Sequence, residues 1–346
     1  MNGARPSEPG RNTDGRYVLA ASTVLLALAG AFFMVPLLFV APVPLAVLVY
    51  RDGYRPGTVT AVLTLVLVAF AQQRLFAGLP AGVSNEALQS YSMMTMIALL
   101  TTGLIGMVIG GAWREGASWW QAFWLAFAGA VLPGVLVWTG ALTFRGVDLF
   151  GVVFENWMEV VRSVIAEAER SGAGADAVRA LEQAAAETEA SFALLRPLLP
   201  GLIAVGALFG AFVNTALSGL LLRRAGDEPP RFPPFAGWRW PWSFALGFIV
   251  GQVLLLFAGD GSRTAVVGHN LLIVFNTLFA VQGAAVGWFW LRRGNVGTPL
   301  AAALLAVTYV WLPAVFTWIG LLDTWLDFRR RSRRGADESE MRTSGR

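Results

Sequence analysis

Protein chemistry needs side chains that ionise, attack, ligate or hydrogen-bond, and this chain is short of most of them. Its 346 residues include no cysteine and one histidine, His269. Disulfides, thiol catalysis and thiolate-held metal or iron–sulfur centres are therefore excluded, and a lone imidazole cannot build a zinc or haem site. All 26 basic residues are arginine. That removes Schiff-base chemistry and the phosphate-loop lysine, so this chain is not itself a P-loop ATPase. No catalytic triad, carboxylate pair at usable spacing or phosphate-binding glycine loop is present, and no cofactor is implied.

What remains is uncharged hydrogen bonding inside apolar sequence. Asn214, Gln252, His269, Asn270, Asn276 and Gln282 lie within long hydrophobic runs. His269 and Asn276 are seven residues apart and so share a helix face. Such groups suit an amphipathic small molecule better than an ion. Asn214, Gln252, His269, Asn276 and Gln282 are accordingly the candidate ligand-binding set. The competing use of these residues is hydrogen bonding between membrane helices, and His269, close to a segment start, reads as a structural group.

Small residues and charges complete the inventory. Gly106/Gly110, Gly206/Gly210, Gly247/Gly251 and Gly283/Gly287 are G-x-x-x-G pairs, with Ala27/Ala31 as the equivalent in the first segment. These ridges let helix backbones approach closely; most serve internal packing, and Ala27/Ala31 is also a candidate docking face for a partner. Every Asp and Glu falls outside the apolar runs. Ion coupling and intramembrane catalysis both lack their ionisable group at depth, so a transporter built this way draws energy from partner proteins. Asp323 and Asp327, four apart beside Arg329, Arg330 and Arg331, read as ion pairs at the membrane surface. The arginine-rich tail suits anionic lipid headgroups rather than nucleic acid.

The elements that must position these residues follow from composition. The chain is 56% hydrophobic and 14% charged, against about 25% charged in soluble proteins, so it reads as an all-α, multi-pass membrane protein. Residues 1–16 form a basic leader and 17–142 a first group of membrane helices. An acidic amphipathic insert follows over 143–199, then a second membrane group over 200–328 and the tail over 329–346. Proline interruptions at Pro36, Pro42 and Pro44 split the first run, giving eight to nine hydrophobic segments. Arginines at positions 5, 11, 16, 51, 55, 114, 223, 224, 231 and 239 form a self-consistent cytoplasmic set with a cytoplasmic N-terminus. The insert, with nine acids against three arginines between Asp148 and Phe192, then lies outside as a helical hairpin broken at Ser171–Gly174. Arg292–Arg293 and the tail flank the same last segment, which places one cluster outside unless a segment is re-entrant. The tail is expected inside.

Three stretches resemble the YybS-like family of uncharacterised bacterial membrane proteins. They are Gly320 to Arg329, the loop Pro233-Pro234-Phe235 through Trp238 and Pro241, and the Gln282-Gly283 pair; the early Pro44, Tyr50-Arg51 and Gly57 pattern adds to them. The resemblance implies a bacterial cytoplasmic (inner) membrane protein, distantly similar to the S components of energy-coupling-factor transporters. Those proteins bind a vitamin and rely on a transmembrane coupling subunit and ATPases. An Ala-x-x-x-Ala ridge in their first helix docks the coupling subunit, and Ala27/Ala31 matches it. The chain is longer than an S component and carries an insert that they lack. Two functions follow as expectations: a small-molecule binding or transport subunit powered by partners, and a non-transporting membrane scaffold or regulator.

Overall fold

The computed structural model describes residues 13–77, 85–145, 148–259 and 261–329, and all regular elements among them are helical. In order these are α1 (Thr13–Phe32), α2 (Val35–Val40), α3 (Pro42–Asp52), α4 (Tyr54–Ala77), α5 (Asn85–Arg114) and α6 (Trp119–Arg145). The insert supplies α7 (Leu149–Arg170) and α8 (Ala175–Leu195). Then come α9 (Leu199–Arg224), α10 (Phe244–Phe257), α11 (Arg263–Arg293), α12 (Thr298–Trp311) and α13 (Pro313–Leu326).

Among the described residues, six stretches are long and apolar enough to cross a membrane, and α12 with α13, bent by 107°, make a seventh if they count as one span. This is fewer than the eight to nine segments read from sequence. The surplus is α3 and α10, apolar but with 11 and 14 residues respectively. At about 1.5 Å per residue neither reaches across ~30 Å of hydrocarbon.

The chain divides into two compact units. The first comprises Met1–Phe192 with Ala207–Phe232; the second comprises Ala193–Gly206 with Pro233–Arg346. In the first, α3 is buried at eight consecutive positions, Pro42 to Val49. It lies along the glycine ridge of α5. A Cβ on Gly106 would meet the Pro42 carbonyl at 2.8 Å, and one on Gly110 would fall on the Ala46 carbonyl. Contacts advance together along both helices, ending where Arg114 donates to the Tyr50 and Arg51 carbonyls. The two helices therefore run parallel.

Prolines cause the break between α2 and α3, because Pro42 and Pro44 offer no N–H to the preceding turn. The Leu38 carbonyl, deprived of its donor at Pro42, and the neighbouring Phe39 carbonyl accept from side chains. Thr102 Oγ1 donates to Leu38 O, and Asn214 Nδ2 donates to Phe39 O at 2.9 Å.

Ala27 and Ala31 lie inside this unit. They are 0% and 4% exposed and pack with Val68 of α4 and Leu99 of α5. Tyr91 Oη donates to the Ala31 carbonyl. The ridge read as a candidate partner face is covered by the chain's own helices.

α7 carries the first amphipathic pattern, with Met158 buried and Phe154 stacked on Phe192 at a centroid distance of 3.6 Å. The turn falls at Ser171–Gly174, where Gly172 takes φ +78°. No residue of α8 is buried. Its run of alanines with few β-branched residues holds it helical by propensity.

The second unit is built on α11. Gly247 of α10 sits under the Phe275 ring and Gly251 against Leu272, so α10 runs antiparallel to α11. α13 runs parallel to it: Thr317 donates to Asn276 O, Gly320 lies on the Phe279 carbonyl, and Asp323 meets Gln282. α12 provides the return, with Leu305 against Gly287. The C-terminal ends of α11 and α13 consequently point the same way.

Candidate functional site

The densest polar arrangement gathers at that end of the second unit. Asp323 is completely buried, although it lies one residue beyond the last apolar run. Its Oδ2 pairs with an Arg329 guanidinium nitrogen at 2.7 Å, and its Oδ1 accepts from the Phe328 N–H. Arg329 also donates to the Ala236 and Trp238 carbonyls at 2.8 and 2.9 Å. Gln282 faces the same carboxylate. Its Nε2 donates to Asp323 Oδ2 and Gly320 O, while its Oε1 accepts from Trp240 N at 2.8 Å. The Trp240 indole donates to Leu278 O, and Arg239 bridges Asp327 Oδ2 and Thr324 O.

These partners show what the arrangement does. A buried carboxylate is tolerable when its charge is paired and its lone pairs are filled, and Asp323 meets both conditions. Asp327 sits in the left-handed region at φ +45°, ending α13 and turning the chain so that Arg329 folds back on Asp323. The loop from Pro233 to Trp240, the middle of α11 and the end of α13 are thereby tied together. The sequence predicts ion pairs here: Asp323 pairs with Arg329 and Asp327 with Arg239, and Asp323 and Arg329 are enclosed by protein. Arg330 lies outside the described residues. The missed partner is Gln282, 41 positions before Asp323, and no spacing rule connects the two.

The candidate ligand residues are held in different ways. Gln282 has its bonding capacity taken up as described. Asn214, in the first unit, gives both amide hydrogens to carbonyls, of Phe39 and Gly210. His269 is exposed and its Nδ1 lies 2.8 Å from Ala265 O of its own helix. Asn270, beside it, caps a neighbour by bonding Pro197 O and Gly201 N. Gln252 and Asn276 are exposed on α10 and α11. Four of these polar side chains thus bond to backbone.

A small cavity lies beside Ala27, lined by Thr23, Leu45, Thr64, Leu99 and Thr102, with a volume near 10 Å³. That is room for about one water. Among the described residues no three His, Asp or Glu side chains gather as metal ligands.

Residues 18–324 match the family model described as "Predicted membrane protein (DUF2232)". No curated protein and no solved structure matches the chain.

Proposed function

The chain belongs to this family of predicted membrane proteins, and on that premise we propose that it acts as a multi-pass membrane scaffold or regulator that recruits other proteins through its α7–α8 hairpin. The observation that carries this reading is α8, a helix of 21 residues with none buried. Most helices in proteins owe their stability to a packed apolar face. α8 draws on alanine-rich propensity and on the Phe154–Phe192 stack, which leaves its acidic surface open to a partner.

Arginine distribution supports a topology for this role. The parallel course of α11 and α13 carries Arg292–Arg293 and Arg329 toward one end, and the Arg239–Asp327 pair at 2.8 Å joins the loop before α10 to that end. Reading α12–α13 as a re-entrant pair removes the conflict between basic clusters and puts both on the cytoplasmic side, with the hairpin outside. Reporters fused in the Gly172–Gly174 turn and near Gly237 should read extracytoplasmic and cytoplasmic respectively; matching signals would reverse or break this topology.

The function itself is tested by photo-crosslinking residues at Glu182 and Glu189, both exposed on α8, in native membranes. Discrete protein adducts are expected. Their absence at both positions would refute recruitment by the hairpin.

The second reading, a solute-binding subunit energised by a coupling subunit and ATPases, has one observation in its favour. Asn214 Oδ1 and Ser218 Oγ are buried in the first unit with no protein partner. Native mass spectrometry of the purified protein tests it, since a bound solute would add a defined mass.

A further inference from the structure

The unmatched atoms on α9 form a pattern. Asn214 and Ser218 are one helical turn apart on one face, at 1% and 0% exposure. The orientation of the Asn214 amide is fixed, because its nitrogen lies 2.9 and 2.8 Å from two carbonyl oxygens, which only an N–H donor can satisfy. Oδ1 therefore faces away from them and needs a donor. The Ser218 hydroxyl can serve as donor or acceptor.

This demand selects the ligand. A bare cation would be buried against two neutral groups that cannot balance its charge, and an anion would face the Asn214 carbonyl oxygen. A neutral hydroxyl both donates and accepts, and the smallest species carrying one is water. An unpaired polar group is costly when buried in protein, so two of them one turn apart on α9 are a standing drive for hydration. We propose that the Asn214–Ser218 face of α9 holds an ordered-water site, in which water donates to Asn214 Oδ1 and is bonded by Ser218. The site hydrates the donor side chain that caps the broken end of α2. It is independent of recruitment by the hairpin.

The sign of one substitution tests it. Ser218→Ala removes a hydroxyl without adding bulk. If the hydroxyl is bonded to water, the melting temperature falls by about 2 °C. If the hydroxyl is dry and unpaired, its removal raises the melting temperature or leaves it unchanged, and the proposal fails. A high-resolution structure of the full chain in lipid supplies the second measurement. A single-atom density within about 3.2 Å of both Asn214 Oδ1 and Ser218 Oγ supports the water. An empty site overturns it. So does an elongated density, which with a co-purifying mass would move support to the solute-binding reading.

Discussion

Two seams in this molecule solve one problem differently. In each, a short helix lies parallel to a long span and is seated on glycine: α3 on Gly106 and Gly110 of α5, and α13 on Gly283 of α11 through its own Gly320. Each short helix starts at a proline after a break. Within lipid, apolar burial gives little net attraction between helices, so close backbone contact and hydrogen bonds must hold such pieces. The α3 seam is held by fit along its whole length, with side-chain donors at its broken start and the partly exposed Arg51–Asp227 pair near its end. The α13 seam has a buried charge pair at its finish, completed by Gln282. Glycine contacts fix how closely two helices approach, whereas the lock also fixes register, since a shift by one residue would strand a buried carboxylate.

The largest effect is expected from breaking that lock on one side. Arg329→Ala leaves Asp323 enclosed and unpaired, a change that typically costs about 3–5 kcal/mol. The variant should lose most of its thermal stability in detergent, and limited proteolysis should open the Pro233–Trp240 loop first. Replacing both partners, Asp323→Leu with Arg329→Met, should recover much of the loss because no buried charge remains. A double variant as unstable as the single one would show that the pair matters for more than compensating its own burial.

Next in size is the glycine fit. Gly110→Ala places a methyl on the Ala46 carbonyl, and Gly283→Ala places one on the Phe316 carbonyl. Backbone cannot move aside as a flexible side chain can, so each should cost about 1–3 kcal/mol. Gly206→Ala is the control, since nothing lies within 4 Å of the added carbon. Melting curves of the three variants give the ranking, and equal losses at all three would refute the role assigned to the ridges.

Much of this architecture could be read from the residues. Long apolar runs, proline interruptions and glycine pairs are local signals, and so is the break at Ser171–Gly174. They hold because a membrane leaves the backbone few alternatives to the helix. The burial of Asp323 could not be read that way. A carboxylate just past an apolar run and beside three arginines has the pattern of a surface ion pair, and its enclosure depends on Gln282 and the Ala236 and Trp238 carbonyls, all distant in sequence. The neighbours of Ala27 and Ala31 could not be read for a related reason. A small-residue ridge shows that something packs closely on it but not whether the neighbour is in the same chain. Asn214 reads as polar within an apolar run, but its partner, the Phe39 carbonyl, lies 175 positions away, and the N–H groups missing at Pro42 and Pro44 point to Leu38 O and Val40 O instead.

That partnership gives a smaller test of the α3 seam. Asn214→Leu removes the donor to Phe39 O and should cost about 1–3 kcal/mol for the carbonyl left without it. Asn214→Gln keeps the amide but displaces it by a methylene, so it should recover part of the loss. If Leu and Gln variants melt alike and close to the parent, the α2 break does not depend on this cap.

The smallest effect on the bundle should come from the largest deletion. Replacing residues 155–192 by a short flexible linker removes most of α7 and all but the end of α8, but among their described side chains only Met158 is buried. The α3 and α13 seams share no residue with the insert, so both should survive, and the melting temperature should fall only slightly through loss of Met158. Closing a longer or shorter loop alters stability by only about 0.6 kcal/mol per doubling of length. The same deletion should abolish the α8 crosslinks and any protein that co-purifies through them. A deletion variant that still inserts and melts near the parent, but loses its partners, would separate recruitment from folding. One that fails to insert would mean that α7, through Met158 on the first unit, is part of the membrane core, and the contrast between packed seams and a free hairpin would fall.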